Sequence, residues 1–307
     1  MLKNIGKRIL VSIPVLIGVV FLIFVMLRIV PGDPVANMMK EHVKPDVMER
    51  MREEMGLNQP LIVQFFKYVA GALHGDFGTS YKLGRPVGAL ILNAFPKTVK
   101  LACCAALVAW LIGIPAGILA AIRQNTILDR LFMGTALLGV SMPVFWTALL
   151  FQYVFSYYLG WLPVSGYETW AHMVLPSIVL GWSSAGTIAR LTRSNLLEIM
   201  QEDFIRTARA KGMRESAVIL FHALKNALLP VITMMAIQVA SLLSGAVITE
   251  SVFSIPGVGR LAVDAISNRD MPLLQGTVLF TTVLIIIGNL VADILYSFID
   301  PRIRTEE

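Results

Sequence analysis

Residues 99–121 read VKLACCAALVAWLIGIPAGILAA, and this stretch contains a single charged side chain, Lys100. A helix needs about 20 largely apolar residues to cross the hydrocarbon core of a bilayer, so the stretch is long enough to do so. Backbone amides in lipid must be bonded within the segment itself, which favours a helix over a strand. The stretch therefore predicts a transmembrane helix.

The composition of the whole chain agrees with a membrane protein. Of its 307 residues, 56% are hydrophobic and only 15% are charged, whereas soluble domains carry about 25% charged residues. The surplus of apolar side chains has to face lipid. Together with 99–121, further apolar windows predict an all-α membrane protein with six transmembrane helices; these windows are 9–29, 132–158, 173–190, 229–250 and 277–298.

Four prolines bear on the shape of these helices. Pro14, Pro115 and Pro143 lie inside windows and are expected to kink them, as membrane helices tolerate. Pro230 lies where the fifth window begins, which predicts a first-turn position.

Lysine and arginine residues in the short loops predict the orientation. They cluster in 1–8, 122–131, 190–225 and 302–304, while 160–172 contains none. Basic loops remain on the cytoplasmic side, so both termini are predicted to be cytoplasmic. Such residues on a membrane protein indicate orientation and contact with lipid rather than binding of nucleic acid.

The long segment before the second window is expected to be ordered and extracytoplasmic. Pro45–Met55 is predicted to form a short helix ended by Gly56, and Pro60–Leu73 an amphipathic helix ended near Gly75. The predicted organisation is an N-terminal span, 1–30, an extracytoplasmic helical segment, 31–97, a five-span core, 98–300, and a cytoplasmic tail, 301–307.

The segment 193–228 is the most informative part of the core. Its centre, Glu202–Gly212, reads EDFIRTARAKG. Apolar residues recur at helical spacing through this segment, at Leu197, Met200, Phe204 and Ala208, and Gly212 supplies a stop, so one helix through these residues is expected before the glycine. A second helix is expected from Glu215, with Val218, Phe221 and Leu224 on one face. Such a pair either docks in a groove of a soluble partner or lies on the bilayer surface, and the pattern alone leaves both open.

This segment resembles the EAA motif of binding-protein-dependent ABC importer permeases. The motif's alanine falls at Thr207-Ala208, its glycine at Gly212 and its close at Leu229-Pro230. The sequence of this motif is similar to that of the dipeptide, oligopeptide, glutathione and nickel importer group. Within that group, the chain resembles the shorter of the two permease types. Further signatures of the group occur in order along the chain, at 31–34 (PGDP), 75–78 (GDFG), 141–143 (SMP), 250–253 (ESVF), 256–260 (PGVGR) and 300–304 (DPRIR).

The resemblance implies a type I ABC importer permease fold in the cytoplasmic or inner membrane of a bacterium or archaeon. It implies four kinds of partner: membrane lipid, a second related permease, two ATP-binding subunits and an extracytoplasmic solute-binding protein. ATP and Mg²⁺ would be bound by the ATPase subunits and no cofactor by this chain. The solute would be a di- or oligopeptide, glutathione or a nickel chelate. Contacts with the ATPase would come from Glu202, Asp203, Arg206, Thr207, Ala208, Arg209 and Gly212.

Two further groups of residues are candidates for function inside the membrane. Polar and small residues on the predicted spans are candidates for lining a translocation path, although such residues also serve close helix packing; they are Ser141, Gln238, Ser241, Ser244 and Gly245. Asp293 in the sixth span is a candidate partner for Arg190 at the end of the fourth, either as a structural ion pair or in gating.

Other function classes find little support in the sequence. The four histidines are scattered and the only cysteines, Cys103 and Cys104, are adjacent, so no metal site is expected. No Walker A loop is present, so ATP hydrolysis is expected in partner subunits and not in this chain. An intramembrane enzyme would need a paired nucleophile and base, and a secondary transporter commonly shows repeated halves. Neither pattern is evident, and both classes remain as alternatives.

Overall fold

The computed structural model of the protein describes residues 2–29, 45–54 and 56–299. The PGDP and DPRIR signatures lie outside these residues. Helices account for most of the described chain, and no strand occurs in that part. The α-helices are α1 Leu2–Ile29, α2 Pro45–Glu54, α3 Leu61–Leu73, α4 Val87–Ile122, α5 Ile127–Ser141, α6 Val144–Phe151, α7 Ala171–Ile199, α8 Asp203–Ala210, α9 Glu215–Ala217, α10 Leu224–Gly245, α11 Val247–Val252, α12 Val258–Ser267 and α13 Met271–Ile299.

Two segments have π-helical hydrogen bonding. Gln152–Tyr158 continues α6, and Val218–Ala223 joins α9 to α10. The second junction makes the backbone helical from Glu215 to the end of α10 without a break.

Among the described residues, three helical stretches are long and apolar enough to cross a membrane: Val87–Ile122, Glu215–Leu243 and Met271–Val291. A fourth is added if α5 and the helix Val144–Tyr158 are counted as one bent span. The helical class and the membrane character predicted from the sequence are thereby confirmed. The number of six spans and the cytoplasmic placement of both termini stay predictions.

The chain bends at Pro143 as expected, but the bend is a break between two helices and not a kink within one. α5 ends at Ser141, α6 begins at Val144, and the two helices are bent by 110°. Met142 is extended, with a ψ of 134°, because the residue before a proline is disfavoured in the helical region. Pro143 therefore separates two helices instead of kinking one.

The expectation for Pro230 was wrong. Pro230 lies inside α10 and not in its first turn. The helix reaches this point already formed, since it starts fifteen residues earlier at Glu215. An internal proline is tolerated in apolar helices because neighbouring groups satisfy the freed carbonyl.

The chain forms two compact units. The first contains the described residues up to Thr98 together with Pro256–Ile286. Both short helices predicted for this part are confirmed, with Gly56 and Gly75 at positive φ after them. Of the apolar residues on α3, Phe65 is buried against Val20 and Phe24 of α1, and Phe66 and Leu73 are exposed.

A buried carboxylate ties two parts of this first unit together. Asp270, just before α13, is 1% exposed. It accepts hydrogen bonds from the Ser80 hydroxyl at 2.5 Å and from the backbone N–H of Tyr81 and Lys82, both at 3.1 Å. The loop that precedes α4 is thereby fixed to the beginning of α13.

The second unit contains Val99–Ile255 and the described residues from Ile287. Helix α7 is its centre, and glycines allow its neighbours to approach closely. A Cβ on Gly113 of α4 would lie 2.8 Å from the carbonyl oxygen of Ala185, and one on Gly139 of α5 would lie 2.7 Å from Cδ1 of Trp182. Small residues permit such approach in membrane helix bundles. The positions of α4 and α5 against α7 therefore depend on these glycines.

Candidate functional site

Segment 193–228 contains one short helix, α8, which packs against the ends of three long helices, α4, α7 and α10. Helix α8 buries two side chains, Ile205 and Ala208, and exposes the others. We call the apolar group beneath it the inner cluster; it consists of Ala121 of α4, Leu196 of α7, Ile205 and Ala208 of α8, Val218 and Ala223 of the π-helical segment, and Ala227 of α10. The helix is thus docked on the body of the second unit.

Helix α8 is shorter than the apolar spacing predicted. Helix α7 ends at Ile199 and the chain turns through Met200–Glu202 before α8 begins at Asp203. Leu197 and Met200 contact the inner cluster from before this turn, and Ala208 from after it. Three of the residues at helical spacing, Leu197, Met200 and Ala208, therefore share one cluster without sharing one helix, whereas Phe204 is 43% exposed and lies outside the cluster.

The break after α8 lies where the sequence predicted it. Gly212 has a φ of +77°, and its N–H donates to the carbonyl of Arg209 at 2.9 Å. A Cβ at this glycine would meet nothing within 4 Å. The backbone conformation, and not lack of space, is what requires glycine here.

The face that was expected to follow Glu215 differs in the structure. Val218 is fully buried and Leu224 is partly buried, whereas Phe221 is 72% exposed. The wider π-helical turn changes which residues share a face. The buried stripe consists of Val218, Ala223 and Ala227, and the prediction for Phe221 was wrong.

The polar residues of α8 form an exposed surface. Glu202, Asp203, Arg206, Thr207 and Arg209 are all exposed. An oxygen of Asp203 lies 3.5 Å from Nη1 of Arg206, and the Thr207 hydroxyl donates to the backbone carbonyl of Asp203 at 2.9 Å. With Ala208 buried beneath them, these residues present charge of both signs to a partner.

Arg209 is the most constrained residue of this surface. Its Nη2 and Nε donate to the two carboxylate oxygens of Glu215, at 2.6 and 3.0 Å. These hydrogen bonds raise the pKa of the Arg209 guanidinium above its ordinary value. The pair connects α8 to α9 across the turn at Gly212.

The candidates for a translocation path are distributed over two helices. Ser141, the last residue of α5, and Ser241 of α10 are exposed. Gln238 of α10 is 9% exposed and donates to the carbonyl of Ser184 in α7 at 3.0 Å. Ser244 and Gly245 are helical, but their side-chain environment lies outside the described structure. The contact of Gln238 joins two helices, and the path itself stays a prediction.

The proposed pair of Arg190 and Asp293 also stays a prediction. Arg190 is exposed on α7, and the side-chain environment of Asp293 lies outside the described structure. One turn further along α7 the structure has an ion pair that sequence reasoning missed: Arg193 donates two hydrogen bonds to Asp129 of α5, at 2.7 and 2.8 Å. The one sequence feature that marked Asp129 is that it is an acidic residue between the basic Arg123 and Arg130.

Comparison with known proteins gives two family matches. Residues 113–305 match the family described as "Binding-protein-dependent transport system inner membrane component", and residues 1–102 match "Binding-prot-dependent transport system membrane comp, N-term". The chain is 43% identical over 304 residues to the glutathione transport system permease protein GsiC of Salmonella typhimurium. It is 40% identical over 336 residues to the dipeptide transport system permease protein DppB of Escherichia coli. Each alignment covers 99% of both proteins.

Solved structures share the fold. An inward-facing structure of the MetNI methionine ABC transporter has a chain that superposes with a TM-score of 0.59 at 17% identity, covering 69% of this chain and 97% of that one. An amino acid ABC transporter gives a TM-score of 0.57 at 14% identity, covering 68% and 93%. At these identities the likeness concerns the fold alone.

Proposed function

The chain belongs to the family of binding-protein-dependent transport system inner membrane components, and from this membership we propose that it imports di- or oligopeptides, or similar small solutes, as one permease subunit of an ATP-driven ABC importer. Relatives matched over their whole length are permeases of dipeptide and glutathione systems. A permease subunit moves the solute, and hydrolysis of ATP, with its Mg²⁺, is assigned to partner subunits.

One observation carries the mechanism. The charged face of α8 is exposed, while Ile205 and Ala208 anchor the helix in the inner cluster. A helix of this design transmits force because its outer face is free for a partner and its inner face is fixed to long helices. The alternative of a helix lying on the bilayer is less favoured, since both of its buried apolar residues face protein.

The proposed assembly contains this chain, a second related permease, two ATPase subunits and an extracytoplasmic solute-binding protein. The chain crosses the cytoplasmic membrane six times with both termini inside. Closure of the ATPase pair pulls on segment 193–228, the spans open outward, and the solute passes from the binding protein into the path. ATPase contacts are assigned to Glu202, Asp203, Arg206, Thr207, Arg209 and the Gly212 turn, with Ala208 anchoring the helix from below.

Glutathione is the second candidate solute, because a glutathione permease matches this chain with few gaps. The chain aligns with the glutathione permease over 304 residues, whereas alignment with the dipeptide permease extends over 336. The loop after Trp161-Leu162-Pro163 is also short, because α7 already begins at Ala171. Nickel chelates remain a third possibility from the resemblance of the sequence.

Purification and uptake test this proposal together. The tagged chain, expressed with its partner genes, should copurify with ATPase subunits, and vesicles containing the complex should take up labelled dipeptide or glutathione only with ATP inside. Nickel is measured in parallel. Purification without ATPase subunits, combined with uptake driven by an ion gradient, would show a secondary transporter. Conversion of a substrate in the absence of ATP would show an intramembrane enzyme.

A further inference from the structure

An ion pair between Asp129 of α5 and Arg193 of α7 joins two helices of the second unit. Nε and Nη2 of Arg193 contact the two oxygens of Asp129 at 2.7 and 2.8 Å. The side chains are 6% and 25% exposed. Bidentate arginine–carboxylate pairs are strong and directional, so this pair fixes the distance and the angle between its helices.

The turn before α5 holds Asp129 in place. The backbone N–H of Asn125 donates to Oδ2 of Asp129 at 2.9 Å, and Asn125 has a φ of +64°. Thr126 caps the helix by accepting from the N–H of Asp129. The carboxylate is therefore part of the rigid connection between α4 and α5.

Arg193 lies one turn from the docking point of α8. Leu196, three residues further along α7, is fully buried in the inner cluster with Ile205. Residues three apart share a face of a helix. A single turn of α7 thus contacts the beginning of α5 through charge and α8 through apolar packing.

Helices α5 and α7 stay in contact beyond the pair. The indole N–H of Trp182 donates to the carbonyl of Thr135 at 3.2 Å. A Cβ on Gly186 would collide with the carbonyl of Ala136. The two helices are joined until α5 ends at Ser141, where the chain bends by 110°.

From these contacts we infer that the Asp129–Arg193 pair is a rigid link that delivers the movement of α8 to α5 and to the bend at Met142-Pro143. The inference rests on the proposed function, because it requires an ATPase that moves α8. The two residues are positioning residues, since neither is assigned a contact with solute or ATPase. Without the link, α5 stays packed on α7 near Trp182 and Gly186, but its first turn can shift relative to α8.

Neutral variants of the full complex in vesicles test the link. Asp129→Asn and Arg193→Gln are expected to copurify with ATPase subunits and to hydrolyse ATP at the basal rate. Transport per ATP is expected to fall about fivefold or more, the lower range of coupling between distant sites. Basal and transport rates that both equal those of the native complex would overturn the inference. If the neutral variants fail to assemble, Arg193→Lys is tested instead, because lysine can keep one contact with Asp129. This variant should transport an intermediate amount of solute per ATP. A native amount per ATP would overturn the link.

A covalent replacement separates a rigid link from a contact that has to open. Cys103 and Cys104 are free thiols and are first replaced by Ala. Asp129→Cys and Arg193→Cys are then combined and joined by a short bis-maleimide, which a cleft of about 390 Å³ beside the pair can admit. The cross-link should restore transport per ATP; continued loss after complete cross-linking would contradict the rigid link.

The two proposals fail in different ways. Absence of ATPase subunits from the native complex would remove the importer assignment and leave nothing for the link to transmit. A native complex that transports normally, with an unchanged transport-to-ATP ratio in the variants, would remove the link alone.

Discussion

Arg209 and Glu215 form a two-point ion pair across the Gly212 turn, with N–O distances of 2.6 and 3.0 Å. The pair closes the angle between α8 and the long helical stretch that begins at Glu215. Both residues are exposed. Arg209 was predicted from the sequence as a contact for the ATPase, and the structure shows that it also has an internal partner.

Replacing Glu215 with Gln should weaken coupling without affecting insertion. An exposed ion pair is worth about 0–1 kcal/mol, so the thermal stability of the chain should barely change. The freed end of α8 should lower solute-stimulated ATPase activity by up to about fivefold, the factor that about 1 kcal/mol corresponds to. Asp264→Asn, which removes the ion pair with the half-buried Arg260 inside α12, is the control. Equal effects of both variants would argue against a specific role of the pair.

Gly212 should be replaceable only by residues that accept a positive φ. Holding a non-glycine residue in this conformation costs about 1–3 kcal/mol, and Asn tolerates it better than β-branched residues. Gly212→Val should abolish solute-stimulated ATPase activity, whereas Gly212→Asn should retain a large part of it. Gly84→Val is the matched control, since Gly84 has a φ of +61° and equally open surroundings. Normal stimulation in the Gly212→Val complex would refute the role of the turn.

Much of this site follows from local sequence rules. Gly212 at a helix stop, Glu215 at a helix start and the exposed charges of α8 were all predicted, because caps and turns depend on a few adjacent residues. Local rules also placed α2 and α3 and their terminal glycines, Gly56 and Gly75.

What the sequence did not reveal depends on register and on distant partners. Phe221 was misplaced because a π-helical turn shifts the helical period, and no local residue signals such a turn. Pro143 and Pro230 occur in similar apolar surroundings, yet one separates two helices and the other lies inside one. Asp129 finds Arg193 only once α5 packs on α7, a contact 64 residues apart in the chain.

Ile205 should be essential for holding α8 against the second unit. Its side chain is fully buried in the inner cluster, and truncating a buried isoleucine to alanine costs about 2–5 kcal/mol. In the isolated chain in detergent, Ile205→Ala should speed tryptic cleavage at Arg206, Arg209 or Lys211 as the helix detaches. Phe204→Ala is the control, because Phe204 is 43% exposed. Unchanged cleavage in the Ile205 variant would show that α8 does not depend on this anchor.

Gly117 should not accept even a methyl group. A Cβ there would lie 2.7 Å from Cβ of Thr192 and would press against the carbonyl of Ala189. Overpacking of this kind costs about 1–3 kcal/mol, so Gly117→Ala should lower the thermal unfolding temperature in detergent. Gly134→Ala on α5 has open surroundings and should leave that temperature unchanged or raise it, because alanine favours helices. The close approach of α4 to α7 would be in doubt if both variants unfolded alike.

In the proposed mechanism, the exposed face of α8 receives force from a separate ATPase. A photo-crosslinking amino acid in place of Arg206, whose side chain is 73% exposed, tests it most directly in the intact complex within native membranes. We predict a covalent adduct with the ATPase subunit whose yield changes when ATP is bound. Adducts with lipid alone, at the same yield with and without ATP, would show that α8 lies on the bilayer and does not contact an ATPase.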